Sequence, residues 1–288
     1  MEIFQIGDTV DLLGESCVWS VEENSLYWVD VRTPALRRHD PSEGKTLTYP
    51  LPELVGSVAL RQGGGVILAM QTGIFEFDSK TGALTLIGAP DESCSNQRFN
   101  DGRCDRQGRF WSGTMDDVDR GSVGTLYRLE RGVITPVVNS LTIPNALCWS
   151  PDGRTMYFSD TTSRSMLAYR FDTGTGTPSS PRVFATVAPP GTPDGSTVDE
   201  QGYVWNAEYD NWRVTRYRPD GVVDRVLPMP VQRPTCCCFG GKDLATLFVT
   251  TAAQKLDDHE LQRQPLAGRM LALDVGVRGL PEPVYIRH

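Results

Sequence analysis

Along nearly the whole chain, hydrophobic and polar positions alternate with a period of two, in short runs bounded by Gly, Asp, Asn and Pro. Six aromatic or β-branched runs stand out: LYWVD, VILAM, FWSGTM, MYFSD, YVWNAE and LFVTT. Each leads on from a turn cluster, namely EENS, QGGG, RQGR, PDGR, EQGY and GGKD, among which Asp-Gly and Gly-Gly pairs supply the positive φ of tight hairpins. A third run follows in each repeat (LRRHD, GIFEFD, GTLYRLE, SMLAYRFD, RVTRYRPDG, GRMLALDV). A fourth can be placed in five of them, at KTLTYPL, ALTLIGA, ITPVVN, RVFATVA and VDRVLPMP. No 3.6-residue periodicity of helix length competes with this pattern. Short strands recurring every 40–50 residues or so predict an all-β fold, a six-bladed β-propeller of four-stranded antiparallel blades. One such ring, a single catalytic domain, accounts for residues 1–288. The last repeat lacks its fourth strand, so the ring is expected to close near the termini. Either MEIFQIGD or PEPVYIRH fills that place, which removes exposed strand edges.

Ahead of the six aromatic runs stand Glu15, Gly56, Asp101, Asn145, Asp194 and Thr235, in equivalent places. In a propeller, equivalent positions of successive blades point at one central axis, so three carboxylates and an amide from distant parts of the chain would meet there. Carboxylate and amide oxygens suit a hard divalent cation, calcium first, with zinc, manganese or magnesium also compatible. Without a cation, such a cluster costs several kcal/mol in repulsion and desolvation. An interaction scaffold has no reason to carry it, which favours an enzyme.

Composition narrows the class further. A hydrophobic content of 39% and a charged content of 22% are ordinary for a globular protein, and a net charge of −8 argues against a nucleic-acid partner. The first residues, MEIFQIGDTVDLL, have neither a basic nor a long apolar stretch of secretory type, and no apolar run approaches the length of a membrane helix. Seven cysteines, three of them consecutive at 236–238, fit buried thiols better than a disulfide framework and point to a cytoplasmic setting. There is no GxSxG elbow, and His39, His259 and His288 lie outside the central positions, which disfavours nucleophilic catalysis. Trp28, Trp111 and Trp205 recur at one strand position and read as packing between blades. The stretches 116–123 and 257–267 are longer than hairpins need and are candidate substrate covers.

Four segments in order, GESCVWSVEENSLYWVDV, RFNDGRCDRQGRFWSGTM, IPNALCWSPDGRTMYFSDT and PDGSTVDEQGYVWNAEYDNWRV, give the chain a resemblance to the SMP-30/gluconolactonase/luciferin-regenerating-enzyme family of six-bladed propellers. The resemblance implies metal ligands at Glu15, Asn145 and Asp194, and substrate contacts at Arg98 and Asn100. It also implies an acidic substrate contact just after GTM, aligned to within a residue at Asp117 among Asp116, Asp117 and Val118. The activity implied is metal-dependent hydrolysis of a small sugar lactone to its aldonic acid. An activated water attacks the lactone carbonyl, with Asp194 as base and Asp101 as the alternative. Another ester or phosphotriester hydrolase on the same ring, and a non-catalytic scaffold, are the competing classes.

Overall fold

The structure, a computed structural model, describes residues 2–90 and 96–287. Six four-stranded antiparallel sheets are arranged as the blades of a ring. The innermost strands are Gly14–Ser20, Val55–Leu60, Gln97–Cys104, Pro144–Trp149, Thr192–Val198 and Pro234–Gly240, and they pack side by side around the axis. Hence the predicted propeller is the observed one.

Every innermost strand slips register against its neighbour at the position singled out above. The slips fall between Glu15 and Val18, Val55 and Ser57, Phe99 and Gly102, Asn145 and Cys148, Pro193 and Ser196, and Pro234 and Cys236. A bulge inserts one unpaired residue, bends the strand and re-aims its side chains. Ser16 and Ala146, directly after Glu15 and Asn145, adopt left-handed backbone with φ of 52° and 60°. Gly56 fills the equivalent place in the second blade because nothing larger fits: a Cβ there would lie 2.2 Å from the carbonyl oxygen of Phe99. We expect Gly56→Ala to lower stability by about 1–3 kcal/mol in denaturant unfolding, since backbone rather than a flexible side chain must move. A change below about 0.5 kcal/mol would mean the two blades part freely.

The recurrent tryptophans are fully buried, and each indole N–H donates to an aspartate that also binds an arginine. Trp28 donates to Asp11 at 2.7 Å, Trp111 to Asp105 at 3.0 Å and Trp205 to Asp199 at 2.9 Å. The arginine partners are Arg37, Arg109 and Arg216. The polar contacts stay within each blade, while the rings pack between blades as expected: Trp28 against Cys238 and Phe248, Trp111 against Trp149, and Trp205 against Phe239.

The strand Ile3–Ile6 pairs with Met270–Asp274 and completes the sixth blade, so the N-terminal alternative is the one realised. Residues 278–287 instead run as a strap across the ring. Glu200 N–H donates to Arg278 O, Gly279 N–H to Leu244 O, Tyr285 N–H to Leu60 O and Ile286 N–H to Gly108 O. All of these partners lie at or beyond the C-terminal ends of the innermost strands, whereas Glu15, Asn145 and Asp194 lie near their N-terminal ends. The strap therefore closes the end of the channel opposite the candidate site. Within it, Glu282 reaches inward to Arg103 of the third blade's innermost strand, and each side chain is only 10% exposed.

A short α-helix, Asp258–Arg263, interrupts the β pattern in the second long stretch. Its signal was local: Asp257 and Glu260 form a capping box, legible as Asp followed three residues later by Glu. Among the described residues no helix is long and apolar enough to cross a membrane. The described cysteines, Cys17, Cys104, Cys148, Cys236, Cys237 and Cys238, are buried free thiols, and Cys94 and His288 lie outside the described residues.

Candidate functional site

At the open end of the channel is a cavity of about 350 Å³ whose wall includes Glu15, Arg98, Asn100, Asn145 and Asp194. Five of the sequence-selected residues thus converge. Four consecutive hydrogen bonds, running from Arg98 to Pro193, fix the orientation of Asn145. Arg98 Nη1 donates to Asn100 Oδ1 at 2.8 Å, and Asn100 Nδ2 to Asn145 Oδ1 at 3.0 Å. Asn145 Nδ2 donates to Thr161 Oγ1 at 2.8 Å, and that hydroxyl gives its proton to Pro193 O at 3.0 Å. Arg98 Nη1 also donates to Phe99 O and Asn100 Nδ2 to Pro144 O, both at 2.9 Å, so the chain is anchored to backbone; the Asn145 oxygen keeps a lone pair for a further partner.

The two carboxylates are electrostatically strained. Burial first, then repulsion from Glu15 and Asp101, holds Asp194 well above the usual carboxylate range. Burial likewise raises Glu15, with Cys236 and Asp101 adding to it, and Arg98 only partly offsets the effect. Glu15 accepts one backbone N–H, that of Ser16 at 3.2 Å. Two desolvated carboxylates and an oriented amide oxygen on one wall form an oxygen donor set that fits a hard divalent cation.

Asp101 and Asp117 are placed differently. Asp101 is buried but does not line the cavity; its Oδ2 accepts the N–H of Leu147 at 2.9 Å, and burial raises its carboxyl. Its negative charge adds to the repulsion that raises Glu15 and Asp194. Asp117 lies behind the wall, where it accepts from Arg98 Nε at 2.9 Å and from Arg32 Nη2 at 2.8 Å. Its neighbours behave otherwise: Asp116 caps the loop through the N–H groups of Val118 and Asp119, and Val118 points outward, 66% exposed. Neither His39, bonded to Thr46, nor His259 on the short helix lines the cavity.

Sequence reading missed Arg32, Thr161, Tyr209, Gln254 and Lys255, which also line the wall. All but Tyr209 follow the second strand of a blade, and Tyr209 is the last residue of one. The same register argument, applied to that position, would have found them. Of the two candidate covers, 116–123 contributes Arg120 to the wall, while no residue of 257–267 lines it.

Fold and site together define a six-bladed propeller with an axial carboxylate–amide centre in a cleft. The chain belongs to the SMP-30/gluconolactonase/LRE-like family, whose model matches residues 13–253. It is 37% identical over 277 residues to a 6-deoxy-6-sulfogluconolactonase of Pseudomonas putida, covering 95% of each chain. It is 36% identical over 279 residues to the regucalcin of Gallus gallus, covering 93% of each. Among solved structures it superposes on a calcium-binding regucalcin from Agrobacterium tumefaciens with a TM-score of 0.94 at 31% identity, covering 98% of this chain and 96% of that one.

Proposed function

We propose that this protein is a sugar lactonase that opens an aldonolactone to the aldonic acid, with one divalent cation held by Glu15, Asn145 and Asp194. The observation carrying this reading is the meeting of two desolvated carboxylates and an oriented amide oxygen in a cleft that also presents Arg98 and Asn100. Relatives named as a sulfogluconolactonase and as a calcium-binding protein support the substrate class and favour calcium. When bound, the cation supplies the positive charge that polarises the lactone carbonyl and acidifies a nearby water.

The chain's own residues do the rest. Asn100 and Arg98 hold the lactone from the side, and the Arg98 guanidinium faces the oxygen that gains negative charge as the carbonyl carbon becomes tetrahedral. Asp194 takes the proton of the attacking water on a carboxylate oxygen. The carbonyl carbon–ring oxygen bond then breaks, and the proton passes to the departing ring oxygen, leaving the hydroxy acid. Asp101, turned to backbone N–H groups, acts through its negative charge, and Asp117 positions Arg98.

The experiment is a panel of gluconic, arabinonic, xylonic, rhamnonic and fuconic lactones followed by pH-stat with and without chelator. Turnover should vanish with chelator and return with calcium. Glu15→Gln should weaken cation affinity about 10- to 100-fold, because one formal charge leaves the shell. Chelator-resistant turnover would overturn the metal assignment. Base and bystander separate at saturating cation: Asp194→Asn should lose nearly all turnover and Asp101→Asn should keep most of it. The opposite order would exchange their roles.

A further inference from the structure

The mouth of this cleft carries positive charge that a neutral sugar lactone does not need. Arg32, Arg98 and Arg120 all line it, and all three lean on one carboxylate, Asp117. Arg32 Nη2 donates to it at 2.8 Å, Arg98 Nε at 2.9 Å, and Arg120 Nη2 lies 3.6 Å away. The charge of Asp116, which caps its own loop, also acts on Arg120, so three guanidinium groups meet two carboxylates and one is left unmatched. Lys255, also on the wall, adds another. The further acid on the wall, Asp210, is already bound to Arg233 at 2.6 Å. Glu15 and Asp194 do not redress the balance, because their two charges are those matched by the divalent cation proposed above.

Position adds a direction. Arg98 is sunk in the wall at 3% exposure, whereas Arg32 and Arg120 stand outside it at 26% and 35%. Asn100 and Asn145 tie Arg98 to the axial centre, so the outer pair lies at the end of the cleft away from the reacting carbon. Crowded guanidinium groups repel unless an anion joins them, and their planar forks match the oxygens of a sulfonate, phosphate or carboxylate. The surplus stands out in a chain of net charge −8, which otherwise turns anions away.

Resting on the lactonase reading, we propose that the preferred substrate is an anionic sugar lactone. Its sulfonate, phosphate or carboxylate is carried on the carbon remote from the lactone carbonyl, and Arg32 and Arg120 read that group with help from Lys255.

The test compares gluconolactone with its 6-sulfo, 6-phospho and 6-carboxylate counterparts, for wild type, Arg32→Gln/Arg120→Gln and Lys255→Gln, at low and high salt. At least one anionic lactone should exceed gluconolactone in kcat/KM by about 10-fold or more, mostly through KM, and the advantage should shrink with salt. The double variant should collapse that ratio towards one. Lys255→Gln, an exposed change, should reduce it a few-fold even if the double variant folds poorly. A wild-type ratio at or below one, or a ratio that survives both variants, overturns the proposal while leaving the lactonase reading intact. If no lactone is opened, the lactonase reading fails separately. Calorimetry still decides the charge preference, with 6-phosphogluconate expected to bind about 10-fold tighter than gluconate and equal binding overturning it.

Discussion

Asp194→Ala is expected to lower kcat/KM by at least about two orders of magnitude for every lactone the enzyme opens. Losing an outer-shell partner of a metal site already costs 10- to 100-fold, and here both a ligand and the assigned base disappear. A second signature separates this loss from simple damage to the fold. Without cation, burial and the neighbouring charges of Glu15 and Asp101 penalise ionised Asp194. The isosteric Asp194→Asn, which removes that penalty, should therefore melt higher than wild type in chelator. A relief of about 1 kcal/mol corresponds to roughly 2–4 °C in a chain of this size. Adding calcium should raise the melting temperature of wild type more than that of the variant at the same concentration, because the variant binds it more weakly. Differential scanning calorimetry with and without calcium checks both, and a variant that is stabilised by calcium as much as wild type would remove Asp194 from the donor set.

The second large effect lies at the other end of the channel. Glu282→Ala should destabilise the protein by about 3–5 kcal/mol, because it leaves Arg103 charged, buried and without its carboxylate. Arg103 then keeps only the charge of Asp101, with no ion pair, and weak contacts: its Nη2 reaches Cys237 O at 3.5 Å and its Nε has no partner. Denaturant unfolding measures the loss. The control is Arg103→Met/Glu282→Leu, which removes both charges and should recover much of it. If Glu282→Ala unfolds within about 1 kcal/mol of wild type, the strap does not hold the channel shut through this pair.

Much of the architecture lay open in the chain itself. Period-two runs and turn glycines recur at blade spacing, and these are local consequences of strand pleat and hairpin φ, so six repeats, their strands and the axial register of Glu15, Asn145 and Asp194 follow without coordinates. The capping box of Asp258–Arg263 was equally local and went unread because the helix is too short for a periodic signal. The sequence could also offer two segments for the open place in the last blade but could not choose between them. That choice depends on which edge is nearest in the closed ring.

Tertiary structure decided what depends on pairing between distant segments. The bulges that turn Glu15, Asn145 and Asp194 inward exist only in the register between strands. The repeat register also put Asp101 in the same place as Asp194, but a backbone N–H from the next blade, that of Leu147, holds its carboxylate off the cavity wall. Likewise, tertiary bonds draw Asp117 behind Arg98 while Asp116 caps its own loop, and neither lines the cavity. The arginine surplus at the mouth belongs to no motif, because Arg32, Arg98 and Arg120 come from different blades or loops and meet only when the ring closes. What the sequence determined is therefore whatever recurs along the chain. What only the fold decided is which recurring positions touch, since contact between blades is set by strand register and ring closure rather than by any local preference.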